Sequence, residues 1–267
     1  MEHESDKKSP LPDPPAVEHP REGPSPAPSF LRRRLSTDEY LGLHLTVGML
    51  VSLAMLGLFA VIARSATSGS GPTTIDLRIG LALRDHRLEH PAIKYLFWVI
   101  TQMGSLYTLA ILAVLVTLLL FNRRQRLLSL VWFVTLAGAG LLDAGMKRAF
   151  DRPRPEFRDP LVHEDTTSFP SGHSMGSVVG YGFLAYLLQR VLPRRKGRWV
   201  ILGAVVLILL IGFSRMYLGA HYFTDVMGGY AVGSCWLAAV ISGLEVVRNR
   251  RQQRRAAETP PAERGRG

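Results

Sequence analysis

The strongest constraint in this sequence is a series of long apolar runs that carry almost no charge. Residues 41–63 contain no charged side chain, and as a helix these 23 residues would measure about 35 Å, enough to cross a hydrocarbon layer of roughly 30 Å. Five similar runs follow, at residues 95–121, 127–146, 174–192, 199–213 and about 222–247. Only helices and closed barrels satisfy their backbone in lipid, and these runs lack the alternation of barrel strands. The sequence therefore predicts an all-α integral membrane bundle of six transmembrane helices and excludes a soluble globular domain.

Composition divides the chain into one membrane domain and two tails. Residues 1–29 hold eight of the 17 prolines and too few bulky apolar side chains to offset the entropy cost of ordering. We therefore expect a disordered Pro-rich tail over residues 1–40, the membrane domain over residues 41–247 and a disordered basic tail over residues 248–267. The one cysteine, Cys235, excludes a disulfide framework and a CxxC metal site.

The net charge of +11 is attributed to membrane topology. The two tails and the connections at residues 122–126 and 190–198 contain 21 of the 32 Lys and Arg residues. Because basic residues favour the cytoplasmic side, both termini are predicted to be cytoplasmic, in a multi-pass protein of the cell membrane. Residues 64–94, 147–173 and 214–225 then face the extracytoplasmic side. Nucleic acid is not an expected partner, since no aromatic residues interleave with the basic runs.

One extracytoplasmic segment has an ambiguous periodicity. The apolar positions of residues 75–90 fit both a strand and a helix. Because Ile and Leu are mixed with charged residues there, we favour a short helix lying at the membrane surface.

The other two extracytoplasmic segments contain three polar motifs. They read K-R-A-F-D-R-P-R-P from residue 147, P-S-G-H from residue 170 and S-R-M-Y-L-G-A-H-Y-F-T-D from residue 214. The candidate site residues that they supply are Lys147, Arg154, Ser171, Gly172, His173, Arg215, His221 and Asp225.

Three cations of these motifs point to a phosphate ligand. Lys147, Arg154 and Arg215 lie at the outer ends of separate predicted helices, where a charge costs free energy unless it meets a partner. Arg forks match phosphate oxygens and Lys supplies a point charge, so together they could neutralise a phosphoryl group. Arg154 lies between two prolines, which hold its backbone extended. Three other arginines are interpreted as flanking charges that reach lipid headgroups: Arg148, Arg152 and Arg158.

The two histidines of these motifs suggest a general acid and a nucleophile. P-S-G-H directly precedes an apolar run, so its amides form a helix N-terminus that can bind an anion, although a plain Ser171 cap fits equally well. His173, with an ordinary pKa of about 6.5, can donate a proton at neutral pH. His221 and Asp225 are four residues apart, so on a helix Asp225 could orient one ring nitrogen and leave the other as nucleophile. Alternatively, His221 and Asp225 form a buried pair that only caps or stabilises the last helix.

Three neighbouring features complete the pattern. Arg215 and His221 are six residues apart, so the chain is predicted to bend near Gly219. Asp143, one helical turn before Lys147, either orients that lysine or is a helix-end acid that faces water. Seven glycines of the apolar runs are expected to allow close helix packing: Gly138, Gly140, Gly176, Gly180, Gly182, Gly228 and Gly229.

The motifs K-x6-R-P, P-S-G-H and S-R-x5-H-x3-D match, in spacing and order, the signatures of the type 2 phosphatidic acid phosphatase superfamily, which includes the vanadium haloperoxidases. This resemblance covers roughly residues 41–247 and implies a haloperoxidase-like core with an extracytoplasmic active site. It implies that His221 forms a phosphohistidine and His173 protonates the leaving group. It also implies that the phosphoryl oxygens are held by Lys147, Arg154, Ser171, Gly172 and Arg215, with neither metal nor cofactor.

The expected function is hydrolysis of a membrane lipid phosphate or diphosphate, in a bacterial inner membrane. Candidate substrates are undecaprenyl diphosphate, phosphatidic acid and phosphatidylglycerol phosphate, between which the sequence does not choose. A phosphotransferase would use the same phosphohistidine, and a non-catalytic lipid-binding or transport protein would not need His221. A haloperoxidase would share the site, but those relatives are soluble, and the six spans argue against it.

Overall fold

All regular structure in the described part of the chain is α-helical, which confirms the all-α prediction. The computed structural model describes residues 40–67, 72–159, 161–162, 164 and 166–258, and the side chains of residues 40–44, 252 and 254–258 are not described. The predicted N-terminal tail thus lies outside the described residues, apart from residue 40. The helices are α1 Tyr40–Thr67, α2 Thr74–Glu89, α3 Pro91–Gln102, α4 Leu106–Asn122, α5 Arg126–Phe150, α6 Gly172–Gln189, α7 Arg194–Tyr217 and α8 Phe223–Glu258.

Helix α6 forms the centre of the bundle. It contacts α4, α5, α7 and α8, while α1 packs along α8. Five candidate membrane spans are found in the described residues, at Leu45–Thr67, Pro91–Asn122, Arg126–Phe150, Arg194–Tyr217 and Phe223–Arg251. The predicted span at 174–192 corresponds to α6 and is not among them. The reason is its position: α6 buries serines and a glycine, such as Ser174, Ser177 and Gly180, against other helices and needs less lipid-facing apolar surface.

Two helices differ from their predicted extents. The run at 95–121 is interrupted after Gln102, and α4 restarts with Ser105 as its N-cap, which accepts from the amide of Thr108 at 3.2 Å. Helix α8 continues to Glu258, so the first part of the basic tail, predicted to be disordered, is helical. Arg, Gln and Ala, which fill this stretch, are good helix formers.

The segment with ambiguous periodicity is a helix, α2, as favoured. Its start is defined by a capping box in which Thr73 and Asp76 exchange side-chain to backbone hydrogen bonds. Two charged residues of α2, Asp76 and Arg87, are buried. Helix α2 is therefore anchored to the rest of the domain by charges at both of its ends.

The expectation for the glycines is confirmed for six of the seven. A Cβ atom at Gly229 would lie 2.6 Å from the carbonyl oxygen of Ser171 and 2.9 Å from Cβ of Ser174, so α8 and α6 touch there. Gly140 is the exception, because no atom of the described residues lies within 4 Å of its hypothetical Cβ. The six that pack closely are Gly138, Gly176, Gly180, Gly182, Gly228 and Gly229.

This close contact predicts that Gly229→Ala destabilises the protein, because the nearest atoms belong partly to backbone that cannot turn aside. Overpacking of this kind costs about 1–3 kcal/mol, and we expect the unfolding temperature in detergent to fall by roughly 5 °C. Gly243→Ala is the matched control on the same helix, where the added Cβ meets nothing within 4 Å. Equal unfolding temperatures for the two variants would contradict the packing.

Candidate active site

The third motif turns sharply between α7 and α8. Helix α7 ends at Tyr217, Gly219 has φ of +66°, and α8 begins at Phe223. The amides of Ala220 and His221 both donate to the carbonyl oxygen of Arg215, at 2.9 and 3.3 Å. The predicted bend at Gly219 is confirmed, since a positive φ suits glycine. His221 thus precedes α8, and the expectation that it shares a helix face with Asp225 was wrong.

His221 is nevertheless held between a cation and a carboxylate. Its Nε2 lies 3.2 Å from Nη1 of Arg154, and its Nδ1 lies 3.5 Å from Oδ2 of Asp225. A guanidinium group only donates hydrogen bonds, so Nε2 must accept and Nδ1 carries the proton. Among the described residues, no group forms a hydrogen bond with Nδ1. The carboxylate that faces Nδ1 is that of Asp225. The nitrogen free to act as a nucleophile is therefore Nε2.

The protonation state of His221 suits that role. Burial lowers its pKa well below the ordinary value, and the nearby charges of Arg154, Arg215 and Lys147 lower it further. At neutral pH the ring is therefore uncharged, and Nε2 carries a lone pair.

Two arginines of different motifs converge on one carboxylate. Nη2 of Arg154 donates to Oε2 of Glu164 at 3.3 Å, and Nη2 of Arg215 donates to Oε1 of the same group. Nη1 of Arg215 also donates to Thr101 at 3.0 Å. Burial alone would raise the pKa of Glu164, but Arg215 and Arg154 outweigh burial and hold it below the ordinary value. An ionised carboxylate thus bridges the two guanidinium groups beside His221.

Backbone contacts fix the direction of Arg154. Its Nε donates to the carbonyl oxygen of Thr166 at 2.6 Å, and its Nη1 donates to that of Ala220 at 2.9 Å. The segment that carries Arg154 is not helical, as its flanking prolines predict. The side chain therefore connects the first motif to the turn that carries His221.

The second motif joins the other two at the start of α6. Ser171 is the N-cap of α6, with its hydroxyl 3.4 Å from the amide of Ser174, and its own amide donates to the carbonyl oxygen of Asp225 at 3.0 Å. A Cβ atom at Gly172 would lie 2.8 Å from Oδ2 of Asp143. That carboxylate oxygen also pairs with Nζ of Lys147 at 2.9 Å. Of the two interpretations of Asp143, the structure supports the partner of Lys147.

The expectation that His173 keeps its ordinary pKa was wrong. Burial lowers the pKa of His173 well below the ordinary value, and the charges of Arg215, Lys147 and Arg154 lower it further. With Arg215 and Glu164, His173 lines a cavity of about 380 Å³. The rest of the cavity lining mixes apolar and aromatic side chains with three polar ones: Trp98, Leu106, Tyr107, Leu161 and Val162, and Thr101, Gln102 and Ser105.

Arg152 was misassigned as a flanking charge. It is only 5% exposed, it pairs with Oδ1 of Asp225, and its Nη2 donates to Oδ2 of Asp76 at 2.8 Å. Oδ2 of Asp225 accepts from the hydroxyl of Ser168 and from the amide of Tyr222, the latter at 2.8 Å. Arg148 is exposed, as expected, whereas Arg158 donates to the backbone carbonyl of Glu164 at 2.9 Å.

The sequence motifs therefore missed Glu164, Asp76, Arg152 and Ser168. Glu164 is one of several acids in its segment, and no spacing distinguishes it from Glu156 or Asp159. The one available signal for Arg152 was the chemistry of its segment, R-P-R-P, in which two arginines alternate with rigid prolines. Within the described residues, no three His, Cys, Asp or Glu side chains are grouped so that they could hold a metal ion.

Comparisons with known proteins agree with the motifs. The family model for the PAP2 superfamily matches residues 126–248. Phosphatidylglycerophosphatase B of Bacillus subtilis is 36% identical over 148 residues, which cover 55% of this chain and 72% of that protein. Lipid A 1-phosphatase of Rhizobium johnstonii is 36% identical over 111 residues, covering 38% of this chain and 42% of the relative.

A more distant relative and a solved structure extend the comparison. Undecaprenyl-diphosphatase of Sulfolobus acidocaldarius is 29% identical over 126 residues, covering 45% of this chain and 57% of the relative. The crystal structure of a transmembrane PAP2 type phosphatidylglycerolphosphate phosphatase from Bacillus subtilis matches with a TM-score of 0.66 and 28% identity. That match covers 73% of this chain and 96% of the other.

We expect the carboxylate of Glu164 to compete with a bound oxyanion for the guanidinium groups of Arg154 and Arg215. Glu164→Gln removes the negative charge between Arg154 and Arg215, so an oxyanion should bind there more tightly. A charge-assisted hydrogen bond contributes about 1.5–3 kcal/mol, and we expect the inhibition constant of orthovanadate to fall about tenfold. Glu156→Gln, an exposed acid of the same segment, is the control and should leave that constant unchanged. An unchanged constant in Glu164→Gln would show that the carboxylate does not compete with anions.

Proposed function

Because this chain belongs to the PAP2 superfamily, we propose that it hydrolyses a lipid phosphate or diphosphate ester and releases inorganic phosphate. Its apolar helices and its likeness to a transmembrane phosphatase make it a multi-pass membrane protein, so a lipid substrate is expected. The observation that carries the proposal is the contact of Arg154 with both Nε2 of His221 and the carboxylate of Glu164. It puts a nucleophilic nitrogen beside a group of cations that already binds an anion.

In the first step, Nε2 of uncharged His221 attacks phosphorus, and the bond from phosphorus to the lipid oxygen breaks. Asp225 faces the protonated Nδ1 and would stabilise the positive charge that the ring gains. The product of this step is a phosphohistidine and a free lipid alcohol, or a lipid monophosphate if the substrate is a diphosphate.

His173 would donate the proton that the leaving oxygen needs. Burial and the nearby cations lower the pKa of His173, and the negative charge of a bound phosphate would offset the cations and favour the protonated ring. In the second step the neutral His173 accepts a proton from water, whose oxygen attacks phosphorus and releases phosphate. His173 thus returns to its starting state, as two-step hydrolysis requires.

Cations supply the stabilisation of the transition state. Arg154 and Arg215 would exchange the oxygens of Glu164 for phosphoryl oxygens, and Lys147 would add a third charge. The amides at the start of α6, next to Ser171 and Gly172, provide further donors. This arrangement needs no metal or cofactor.

The lipid part of the substrate would occupy the cavity beside His173. Its apolar and aromatic lining residues could contact a hydrocarbon chain, while Arg215 would meet the phosphate. With α6 counted as the sixth span and both termini in the cytoplasm, the site would face the extracytoplasmic side. Relatives named for phosphatidylglycerophosphate, lipid A and undecaprenyl diphosphate suggest candidate substrates, and phosphatidic acid remains another.

A lipid phosphotransferase is the second candidate, because the same phosphohistidine could pass its phosphoryl group to an acceptor other than water. Substrate labelled in its phosphate separates the two functions, since hydrolysis yields free labelled phosphate and transfer yields a second labelled lipid. A non-catalytic lipid-binding role would leave function in the cell independent of His221.

The direct test uses the purified protein in detergent micelles with a panel of lipid phosphates. We expect phosphate release from at least one lipid and a loss of about 1,000-fold or more in His221→Ala, since no other group replaces a covalent nucleophile. His90→Ala, an exposed histidine, is the control. Full activity should persist in EDTA. Loss of activity in EDTA would contradict metal-free hydrolysis, and full activity of His221→Ala would contradict the nucleophile.

A further inference from the structure

A buried network of charged side chains lies next to the proposed site. It contacts the carboxylate oxygen of Asp225 that does not face His221. Oδ2 of Asp225 faces His221, whereas Oδ1 is paired with Nη1 of Arg152. The guanidinium group of Arg152 also lies 4.6 Å from the ring centre of Tyr222, whose amide binds Asp225. The orientation of Asp225 thus depends directly on where Arg152 is held.

Asp76 holds Arg152 and the start of α8 at the same time. Its Oδ2 accepts from Nη2 of Arg152 at 2.8 Å, and its Oδ1 accepts from the amide of Thr224 at 2.9 Å. The hydroxyl of Thr224 lies 2.9 Å from Oδ2 of Asp76, and it accepts from Nη1 of Arg152 at 2.8 Å. Asp76 is 1% exposed. A carboxylate of α2 therefore caps the first turn of α8, one residue before Asp225.

Asp76 is ionised in this setting. Burial alone would raise its pKa, but hydrogen bonds from Thr224 and Arg152 outweigh burial and hold the pKa below its ordinary value. Two carboxylates thus share one guanidinium group, and removal of either charge changes how Arg152 is held.

We propose that Asp76 and Arg152 are positioning residues for the reaction, which keep Asp225 in the orientation that His221 requires. This inference rests on the proposed function, and it assigns a role to α2, which lies outside the part of the chain that the family model matches. Neither residue lines the cavity beside His173. Their effect should therefore fall on the rate of the chemical step and not on substrate binding.

The chain offers a matched control, because a second buried carboxylate also anchors α2 through an arginine. Oδ2 of Asp159 lies 3.4 Å from Nε of Arg87, whose Nη1 donates to the carbonyl oxygen of Tyr217 at 2.6 Å. Asp159 is 5% exposed, against 1% for Asp76. Asp159→Asn should weaken the anchor of α2 to a similar extent without reaching Asp225.

The experiment compares Asp76→Asn with Asp159→Asn in the full chain, measuring thermal unfolding, kcat and KM on the lipid phosphate that the wild type hydrolyses best. We expect both variants to unfold at lower temperature. For Asp76→Asn we expect kcat to fall about tenfold or more with KM within about twofold, whereas Asp159→Asn should keep kcat within about twofold. Arg152→Lys, which keeps the charge but offers fewer donors, serves as the second variant and should also lose kcat.

A double-mutant comparison separates positioning from general damage. If Asp76 acts through Asp225, adding Asp76→Asn to Asp225→Asn should cause little further loss of kcat. Equal kcat for Asp76→Asn and Asp159→Asn would overturn the proposal. So would a double variant whose fold-loss of kcat equals the product of the losses in Asp76→Asn and Asp225→Asn. Absence of hydrolysis by the wild type, or full activity of His221→Ala, would instead remove the proposed function and this inference with it.

Discussion

The site depends on how buried cations are neutralised. Lys147, Arg152, Arg154 and Arg215 all lie where water is scarce, and an unpaired charge in such a place costs several kcal/mol. The protein pairs each of them with a carboxylate. Lys147 pairs with Asp143, and the three arginines are paired in two different ways. Arg152 is enclosed by Asp76 and Asp225, whereas Arg154 and Arg215 share the one carboxylate of Glu164. The first arrangement is fully buried and the second lies beside the cavity.

This division sets the surroundings in which His221 would act under the proposed function. Asp225 is bound by Arg152, Ser168 and the amide of Tyr222, so its position is fixed before any proton moves. Arg154, by contrast, points its guanidinium group at Nε2 and keeps that nitrogen unprotonated. Because Arg154 and Arg215 are bridged by the carboxylate of Glu164, we expect a phosphoryl group, whose oxygens also carry negative charge, to take the place of that carboxylate. A phosphate entering the site would meet cations that are already oriented.

Features that depend only on neighbouring residues could be predicted from the sequence. Proline on both sides of Arg154 and glycine at position 219 predict an extended segment and a bend, because backbone conformation is decided within a few residues. The contact between Asp76 and Thr224 joins residues 148 positions apart, and no periodicity encodes it. The central helix α6 was predicted as an ordinary span, yet burial among other helices lets it carry serines and glycines. Glu164 was missed because its role comes from which arginines surround it.

The central claim is that Nε2 of His221 and the guanidinium groups of Arg154 and Arg215 face one oxyanion. A crystal structure with orthovanadate bound tests this most directly. The account predicts vanadium within covalent reach of Nε2 of His221, with its oxygens contacting Arg154 and Arg215 and with Glu164 turned away from both. Vanadate bound away from His221, with Glu164 still bridging the two arginines, would contradict it.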